Sequence, residues 1–273
     1  MKARLYLSYA RLALRIINAG MPWEQHKLRK KGSQFVLNYS DEGDARLMVT
    51  SGLTILARIV LPQVEEGGHK ADVVPVIDRH YEYAYTVARF REYDIRNKDI
   101  LDVGSSGSVL PAILAALGNR VVCIDVREWP VTWPNLEFVK GDLLESDIAF
   151  GSFDVITCVS TIEHVGLGAY GDREDVDGDI KGMAMLRKYL KPRGRMILSV
   201  PFGKPAILYP YHRIYDKSRL SRLTSGFRIL DKKFFGPIDS SIVYRPCSEK
   251  EAYSANTEVS YAVVCVLLEK ERT

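Results

Sequence analysis

Asp99-Ile100-Leu101-Asp102-Val103-Gly104-Ser105-Ser106-Gly107-Ser108 passes within ten residues from an apolar run to a loop of small residues, and a helical stretch over 108–117 follows. An apolar run this short, bounded by glycine, reads as a buried strand. Small residues after it let a ligand approach the backbone, although a tight strand-to-helix turn with no ligand would look the same. Pro111 fits the opening turn of the helix, where N–H groups have no helical partner.

The same rhythm continues outward. Strands are predicted at 99–105, 120–126, 136–142, 153–160, 195–201, 227–234 and 258–269, with helices at about 108–117, 179–190 and 216–224. Alternating strands and helices are the signature of βαβ units and a parallel sheet. No clear helix joins the last two strands, so the final strand is expected to run antiparallel. The predicted class is α/β: a doubly wound, mostly parallel seven-stranded sheet with an antiparallel last strand, over residues 76–273. Residues 1–75 hold an apolar stripe at helical spacing, a hairpin pattern around Asp41-Glu42-Gly43-Asp44 and a short helix ending near Pro62. They are expected to form an N-terminal α+β accessory region that packs on the core, shapes the substrate pocket or mediates a homodimer.

Of 273 residues, 47% are hydrophobic and 26% charged, the balance of an ordinary globular protein. The net charge of +4 conceals an asymmetry, because residues 1–70 carry eleven Lys/Arg against six Asp/Glu. The run Lys27, Arg29, Lys30, Lys31 could meet phosphates or a membrane surface, but such a run is commonly just a solvated face. Nucleic acid is not the expected partner. Cys123, Cys158 and Cys265 sit in apolar strand-like runs, no C-x-x-C spacing occurs, and Arg4, Arg11 and Arg15 interrupt the apolar start. These features predict a cytoplasmic protein without a membrane span. The scarcity of glutamine, at 25, 34 and 63 alone, points to a thermophilic source.

Asp125 ends the second strand, 21 residues after Gly104, and Asp142 ends the third. Both therefore fall at the carboxyl edge of the sheet, beside the switch point where open α/β sheets bind ligands, and an acid like Asp125 suits ribose hydroxyls. A turn or capping role is the alternative for each. In this pattern the chain resembles the class I S-adenosylmethionine-dependent methyltransferases over residues 80–270. The resemblance implies S-adenosylmethionine as cofactor. Asp102, Gly104, Ser105, Ser106 and Gly107 would wrap its methionine part, Asp125 and Val126 its ribose, and Asp142 and Leu143 its adenine, with Ser160 at the end of the fourth strand. Ser106 and Ser108 replace the second and third glycines of the family's D-x-G-x-G-x-G.

Ser160-Thr161-Ile162-Glu163-His164 through Asp172, then Asp177-Gly178-Asp179 and His212-Arg213-Ile214-Tyr215, are similar to a family of uncharacterised methyltransferase-like domains. The Glu-His pair, also found in methyltransferases of quinones, sugars and RNA ends, implies a small polar acceptor, such as a saccharide or another hydroxyl-bearing molecule. His164 is the candidate general base, Glu163 its orienting or acceptor-contacting partner and His212 the reserve. Two other readings stay open for these residues: a histidine that bonds the local backbone, or Glu163, His164 and His212 around a divalent metal. The acidic loop Asp172, Glu174, Asp175, Asp177, Asp179 invites calcium, but Ile180 and Leu186 stand where an EF-hand needs Gly and Glu. A solvated loop with Asp179 capping the next helix is expected instead. Aromatics Phe202, Tyr209, Tyr211 and Tyr215 could stack on a substrate or cover the sheet edge, and Tyr81, Tyr83 and Tyr85 suit packing better than substrate contact.

Two other functions share parts of this pattern. A nicotinamide-dependent dehydrogenase would use Asp125 similarly but expects G-x-G-x-x-G, and Ser106 holds the middle position. A binding or scaffold protein could keep the fold without catalysis.

Overall fold

The computed structural model describes residues 78–128, 133–237, 244–255 and 261–272. The accessory region predicted over 1–75, with its basic run, lies outside the described residues. Helix α1 (Asp78–Glu92) leads into β1 (Asp99–Val103), α2 (Leu110–Ala116), β2 (Arg120–Asp125), β3 (Leu136–Lys140) and β4 (Phe153–Val159). Then come α3 (Gly178–Tyr189), β5 (Leu190–Phe202), a small hairpin of β6 (Ala206–Leu208) and β7 (His212–Ile214), and α4 (Lys217–Leu223). The chain ends through β8 (Phe227–Pro237), β9 (Tyr244–Cys247), α5 (Glu249–Ser254) and β10 (Ala262–Lys270).

The main sheet has the order β3-β2-β1-β4-β5-β10-β8-β9. β1 pairs in parallel with both β2 and β4, so the chain reverses its direction of travel across the sheet at that point. The predicted reversed strand is β10, antiparallel to β5 on one side and to β8 on the other. This sheet holds one strand more than expected: β9 adds antiparallel to the edge of β8. It and α5 fall in the stretch read from sequence as a loop. Pro246 is tolerated because an edge strand has one unpaired side. A capping box, Ser248 with Glu251, starts the short α5.

Successive strand residues divide between two cores, as the period of two requires. Leu101, Ile124, Ile156, Cys158 and Leu198 pack on the face of α3 and α4, with Leu186, Tyr189, Leu220 and Leu223. Ile100, Cys123, Val155, Ile197 and Cys265 pack on the other face, with Val87 and Phe90 of α1 and Leu114 of α2. Apolar residues on both faces explain the unbroken hydrophobic runs that marked these strands. The three cysteines are free and buried, as their setting in those runs predicted. Among the described residues, no helix is long and apolar enough to cross a membrane.

Arg213, at the centre of β7, ties the long loop after β4 to this framework. Its guanidinium donates to the carbonyls of Glu163 (3.2 Å), Val165 (2.7 Å), Asp175 (3.4 Å) and Val176 (3.2 Å). Asp179 does not cap α3, contrary to expectation: Asp177 holds the N-cap position and Asp179, inside the first turn, points inward. It accepts from the Tyr215 hydroxyl at 2.9 Å and lies 3.8 Å from Arg213, so its charge is neutralised in the interior. Arg213→Leu should lower the unfolding free energy by about 3 kcal/mol, because several buried carbonyls lose their donor. Urea denaturation would check this, and a loss under about 0.5 kcal/mol would contradict the clamp.

Candidate active site

The turn after β1 is built on one close approach. Gly104 has φ +80°, and a Cβ there would fall 2.0 Å from Thr161 Oγ1. That hydroxyl reaches the carbonyls of Val103 at 3.1 Å and Val159 at 3.0 Å, joining the carboxyl ends of β1 and β4. Gly107 supplies the second left-handed residue, φ +78°, where the usual motif would have placed its glycines at 106 and 108. Ser106 sends its N–H to Asp125 Oδ2 at 2.8 Å, while Asp125 Oδ1 accepts the Arg127 N–H at 2.8 Å.

These elements enclose a cleft of about 290 Å³ at the carboxyl edge of the sheet. Asp102, Gly104, Ser106, Gly107, Asp125, Val126, Asp142, Leu143, Ser160 and His164 all line it. Ser105 does not. It is fully buried beneath the turn and donates its hydroxyl to Asp102 Oδ2 at 2.9 Å. Asp102 also accepts from Thr157, and burial pushes its carboxyl up to about 7. Asp142 Oδ1 accepts the Leu144 N–H at 2.8 Å and so shapes the turn as well as facing the cleft.

Ser160 closes β4 with φ +44° and donates its hydroxyl to Glu82 of α1. Ser199 donates to the same oxygen at 2.8 Å, and Arg79 pairs with the other at 3.3 Å. Glu82 is fully enclosed, and burial raises its pKa, against the lowering influence of Arg79 and the two hydroxyls. α1 is therefore fastened to the ends of β4 and β5, and its Arg79 and Tyr83 reach the cleft.

His164 stands at the far wall. Its Nδ1 donates to the Tyr211 carbonyl, which leaves Nε2 as an acceptor. Burial holds the imidazole below its ordinary pKa, so it is neutral at pH 7. Glu163 Oε1 lies 3.8 Å from Nε2, but Glu163 is buried behind the wall, not on it. The His212 ring is 6.2 Å from that of His164 and is also off the cleft wall. These three do not converge as ligands, and among the described residues no group of three or more His, Cys, Asp or Glu is placed to hold a metal.

Several comparisons bear on this arrangement. A family described as Caenorhabditis protein of unknown function, DUF268, matches residues 141–264. The ubiquinone biosynthesis O-methyltransferase of Xanthomonas oryzae is 28% identical over 200 residues, covering 63% of this chain and 77% of that one. The mitochondrial enzyme of the same description from Schizosaccharomyces pombe is 30% identical over 123 residues, 40% of each chain. The 1,6-didemethyltoxoflavin-N1-methyltransferase of Burkholderia thailandensis, solved with its acceptor and S-adenosylhomocysteine, superposes with a TM-score of 0.53 at 16% identity. That match covers 83% of this chain and 89% of the other. An S-adenosylmethionine-dependent methyltransferase from Methanosarcina mazei gives 0.50 at 14% identity, covering 68% of this chain and 98% of that one. The fold is shared with these solved methyltransferases, and the sequence is similar to those of the ubiquinone biosynthesis O-methyltransferases.

Several residues at the cleft or directly behind it were not singled out from sequence. Arg79 and Glu82 are a polar pair at i, i+3 on a helix otherwise buried through tyrosines, a signal that only the helix's packing makes readable. Tyr81 stacks on Phe235 at 4.7 Å, and Tyr85 meets the Asp231 carbonyl at 3.5 Å, which are packing contacts. Tyr83 differs from both. It shares a hydrogen bond with Ser108 at 2.7 Å and lines the cleft. Arg127 spans the mouth, its guanidinium 4.6 Å from the centre of the Tyr170 ring. The carboxylates of the acidic loop are spent separately: Asp172 on the Gly166 N–H, Asp175 on Lys181, Asp177 on Arg222. Phe202 and Tyr215 belong to the core, whereas Tyr209 and Tyr211 are exposed.

Burial pushes Glu163 up to about 8, and its Oε2 has no hydrogen-bond partner. A carboxyl raised from 4.5 to about 8 takes up a proton on folding between those values. Its contribution to stability is whole below pH 4.5 and lost as pH rises through about 8. Glu163→Gln should therefore raise stability at pH 8.5 by about 1 kcal/mol or more and change it little at pH 4. Urea titrations at the two pH values measure this; equal effects at both would refute the buried acid.

Proposed function

We propose that this methyltransferase transfers the methyl group of S-adenosylmethionine, its cofactor, to a hydroxyl of a small polar acceptor, with His164 as general base. The observation that carries the reading is a single cleft at the switch point of the sheet. Its lining includes the Gly104 turn, the Asp125 and Asp142 carboxylates and the neutral imidazole of His164. Such switch points are where open α/β sheets take ligands.

The residues present suit the cofactor. Of the about four acceptor sites of the Asp125 carboxylate, two hold backbone N–H groups and the other two, now met by the Arg127 guanidinium at 3.3 and 3.5 Å, would pass to ribose hydroxyls. Asp142 and Leu143 would meet the adenine. The Gly104 turn leaves room for the methionine part, with the buried Asp102 toward its ammonium group and Arg79 available to its carboxylate. The bound cofactor supplies a methyl group on a positively charged sulfur.

What remains for the chain is alignment and one proton. His164 is fitted to the second task, since its Nδ1 is committed to Tyr211 and its Nε2 is free of a proton. Glu163, held as the neutral acid near pH 7, adds no competing negative charge beside Nε2. His212 has a buried, unpartnered Nε2 and no cleft surface, so it supports His164 by packing.

Two substitutions separate the roles. Asp125→Ala should weaken binding of S-adenosylhomocysteine by about tenfold or more, since each charge-assisted bond to a ribose hydroxyl is worth about 1.5 to 3 kcal/mol. Calorimetry reads this directly, and unchanged affinity would sink the ribose assignment. His164→Ala should cut turnover by about 10² to 10⁴ while leaving cofactor affinity intact. Turnover within about threefold of the parent would remove His164 from the chemistry.

A further inference from the structure

Two arginines line the cleft, and they are held differently. Arg79 is committed: it pairs with the enclosed Glu82 at 3.3 Å and donates to the Val159 carbonyl at 3.3 Å. Arg127 is held loosely. Its side chain is 47% exposed, and among the described residues Asp125 is the one carboxylate within ion-pair distance, 3.3 Å from Nε. That contact, the one to Oδ2 at 3.5 Å and the one to the Ser106 carbonyl at 3.4 Å all lie beyond the usual N–H···O range. The other carboxylates of the cleft are engaged elsewhere, Asp142 on the Leu144 N–H and Asp172 on the Gly166 N–H. The firmer seat of the guanidinium is the Tyr170 ring, 4.6 Å to its centre, and that ring lies 5.2 Å from the ring of His164.

We propose that Arg127 is the acceptor's anion receptor: ribose hydroxyls arriving at Asp125 release its guanidinium, which stays on Tyr170 and takes a carboxylate or phosphate of the acceptor beside His164. The proposal rests on the methyltransferase reading above and on the ribose role given there to Asp125. Two hydroxyls on Asp125 fill the acceptor sites that the guanidinium now meets, because its other two hold backbone N–H groups. The released side chain offers its donors in a planar fork that fits two oxygens of a carboxylate or a phosphate at once. Its hold on Tyr170 persists, since the ring face attracts the cation whatever its N–H groups bind. A guanidinium already seated leaves little ordering for the acceptor to impose.

The charge balance of the cleft favours the same acceptor. Once the cofactor is bound, its sulfonium and the released guanidinium both present positive charge to the second substrate. A neutral molecule leaves the N–H fork to water, whereas an oxyanion meets it with charge-assisted bonds about twice as strong as neutral ones. The contact also acts on the base. Burial is the main reason that His164 sits below its ordinary pKa, and the positive charges of Arg79 and Arg127 push it the same way. An oxyanion on Arg127 offsets one of those charges, so the group that seats the acceptor makes Nε2 a stronger base. Because the guanidinium serves either Asp125 or the oxyanion, ribose and oxyanion assist each other, each tightening the other by the same factor.

The test uses the full chain and reads S-adenosylhomocysteine affinity by calorimetry at constant ionic strength, without oxyanion and with saturating acetate or inorganic phosphate. At least one of the two anions should tighten binding by about fivefold or more, and the one that does so identifies the group carried by the acceptor. Adenosine should show the same coupling, and 2′,3′-dideoxyadenosine, which has no hydroxyls for Asp125, should show none. Arg127→Gln should abolish the coupling. Without oxyanion that variant should bind S-adenosylhomocysteine at least as tightly as the parent, to within about twofold, because no side chain has to leave Asp125. Coupling below about fivefold with both anions, equal coupling with the dideoxynucleoside, or coupling that persists in Arg127→Gln overturns the proposal. So does a larger loss of S-adenosylhomocysteine affinity in Arg127→Gln, which would make the arginine part of the cofactor's own grip. So long as S-adenosylhomocysteine binds the parent, the methyltransferase reading survives these results; if it does not bind, both fall.

Discussion

Everything at the site depends on how closely the ends of β1 and β4 are held. Adjacent parallel strands diverge beyond their last ladder bond, and here the Thr161 hydroxyl spans the gap between Val103 and Val159. Its oxygen stands where a side chain on residue 104 would begin, so glycine there is a steric necessity as much as a conformational one. With that junction fixed, the backbone after β1 turns across the tip of β2, and the Asp125 carboxylate receives a donor from each side. The cleft is the space left over by these constraints.

A second layer of constraint comes from buried charge. Glu82, Asp102, Glu163 and Asp179 are all interior, and each is accommodated differently: by hydroxyl donors and an arginine, by hydroxyl donors and a raised pKa, by protonation, and by Tyr215 with Arg213. Burying an unpaired charge costs several kcal/mol, so each of these groups fixes its neighbours as firmly as a hydrophobic contact would. Glu82 orders α1 against two strand ends, and Asp179 orders α3 against β7. Polar groups, not the apolar core, therefore set the positions of the elements around the cleft.

The strands of the parallel half were legible because they are covered on both faces, which writes unbroken apolar runs such as Val121-Val122-Cys123-Ile124 into the chain. Asp125 and Asp142 were legible because strand ends at one edge of a parallel sheet fall together in space. Where tertiary contact alone decides, the sequence was silent. Ser105 has the same neighbours in the chain as Ser106 yet points under the turn, and Asp179 looks like a cap until Tyr215 and Arg213 are seen opposite it. Arg79 and Tyr83 of α1, Arg127 and Tyr170 come from three separate segments, so their meeting around one cleft is information that only the folded chain contains. β9 and α5 are each too short to show a period.

The guanidinium of Arg127 lies over Asp125, 3.3 Å from Oδ1 and 3.5 Å from Oδ2, and reaches the Ser106 carbonyl at 3.4 Å. In this arrangement the arginine is a placeholder. A hydroxyl-bearing ligand arriving at Asp125 trades bonds with a side chain of the protein, where an open carboxylate would have it trade with water. The affinity it gains is the difference between two ordered sets of hydrogen bonds, smaller than either alone. On the ribose assignment proposed for Asp125, a small difference would let a spent cofactor leave readily, which a site that must turn over needs more than it needs tight binding.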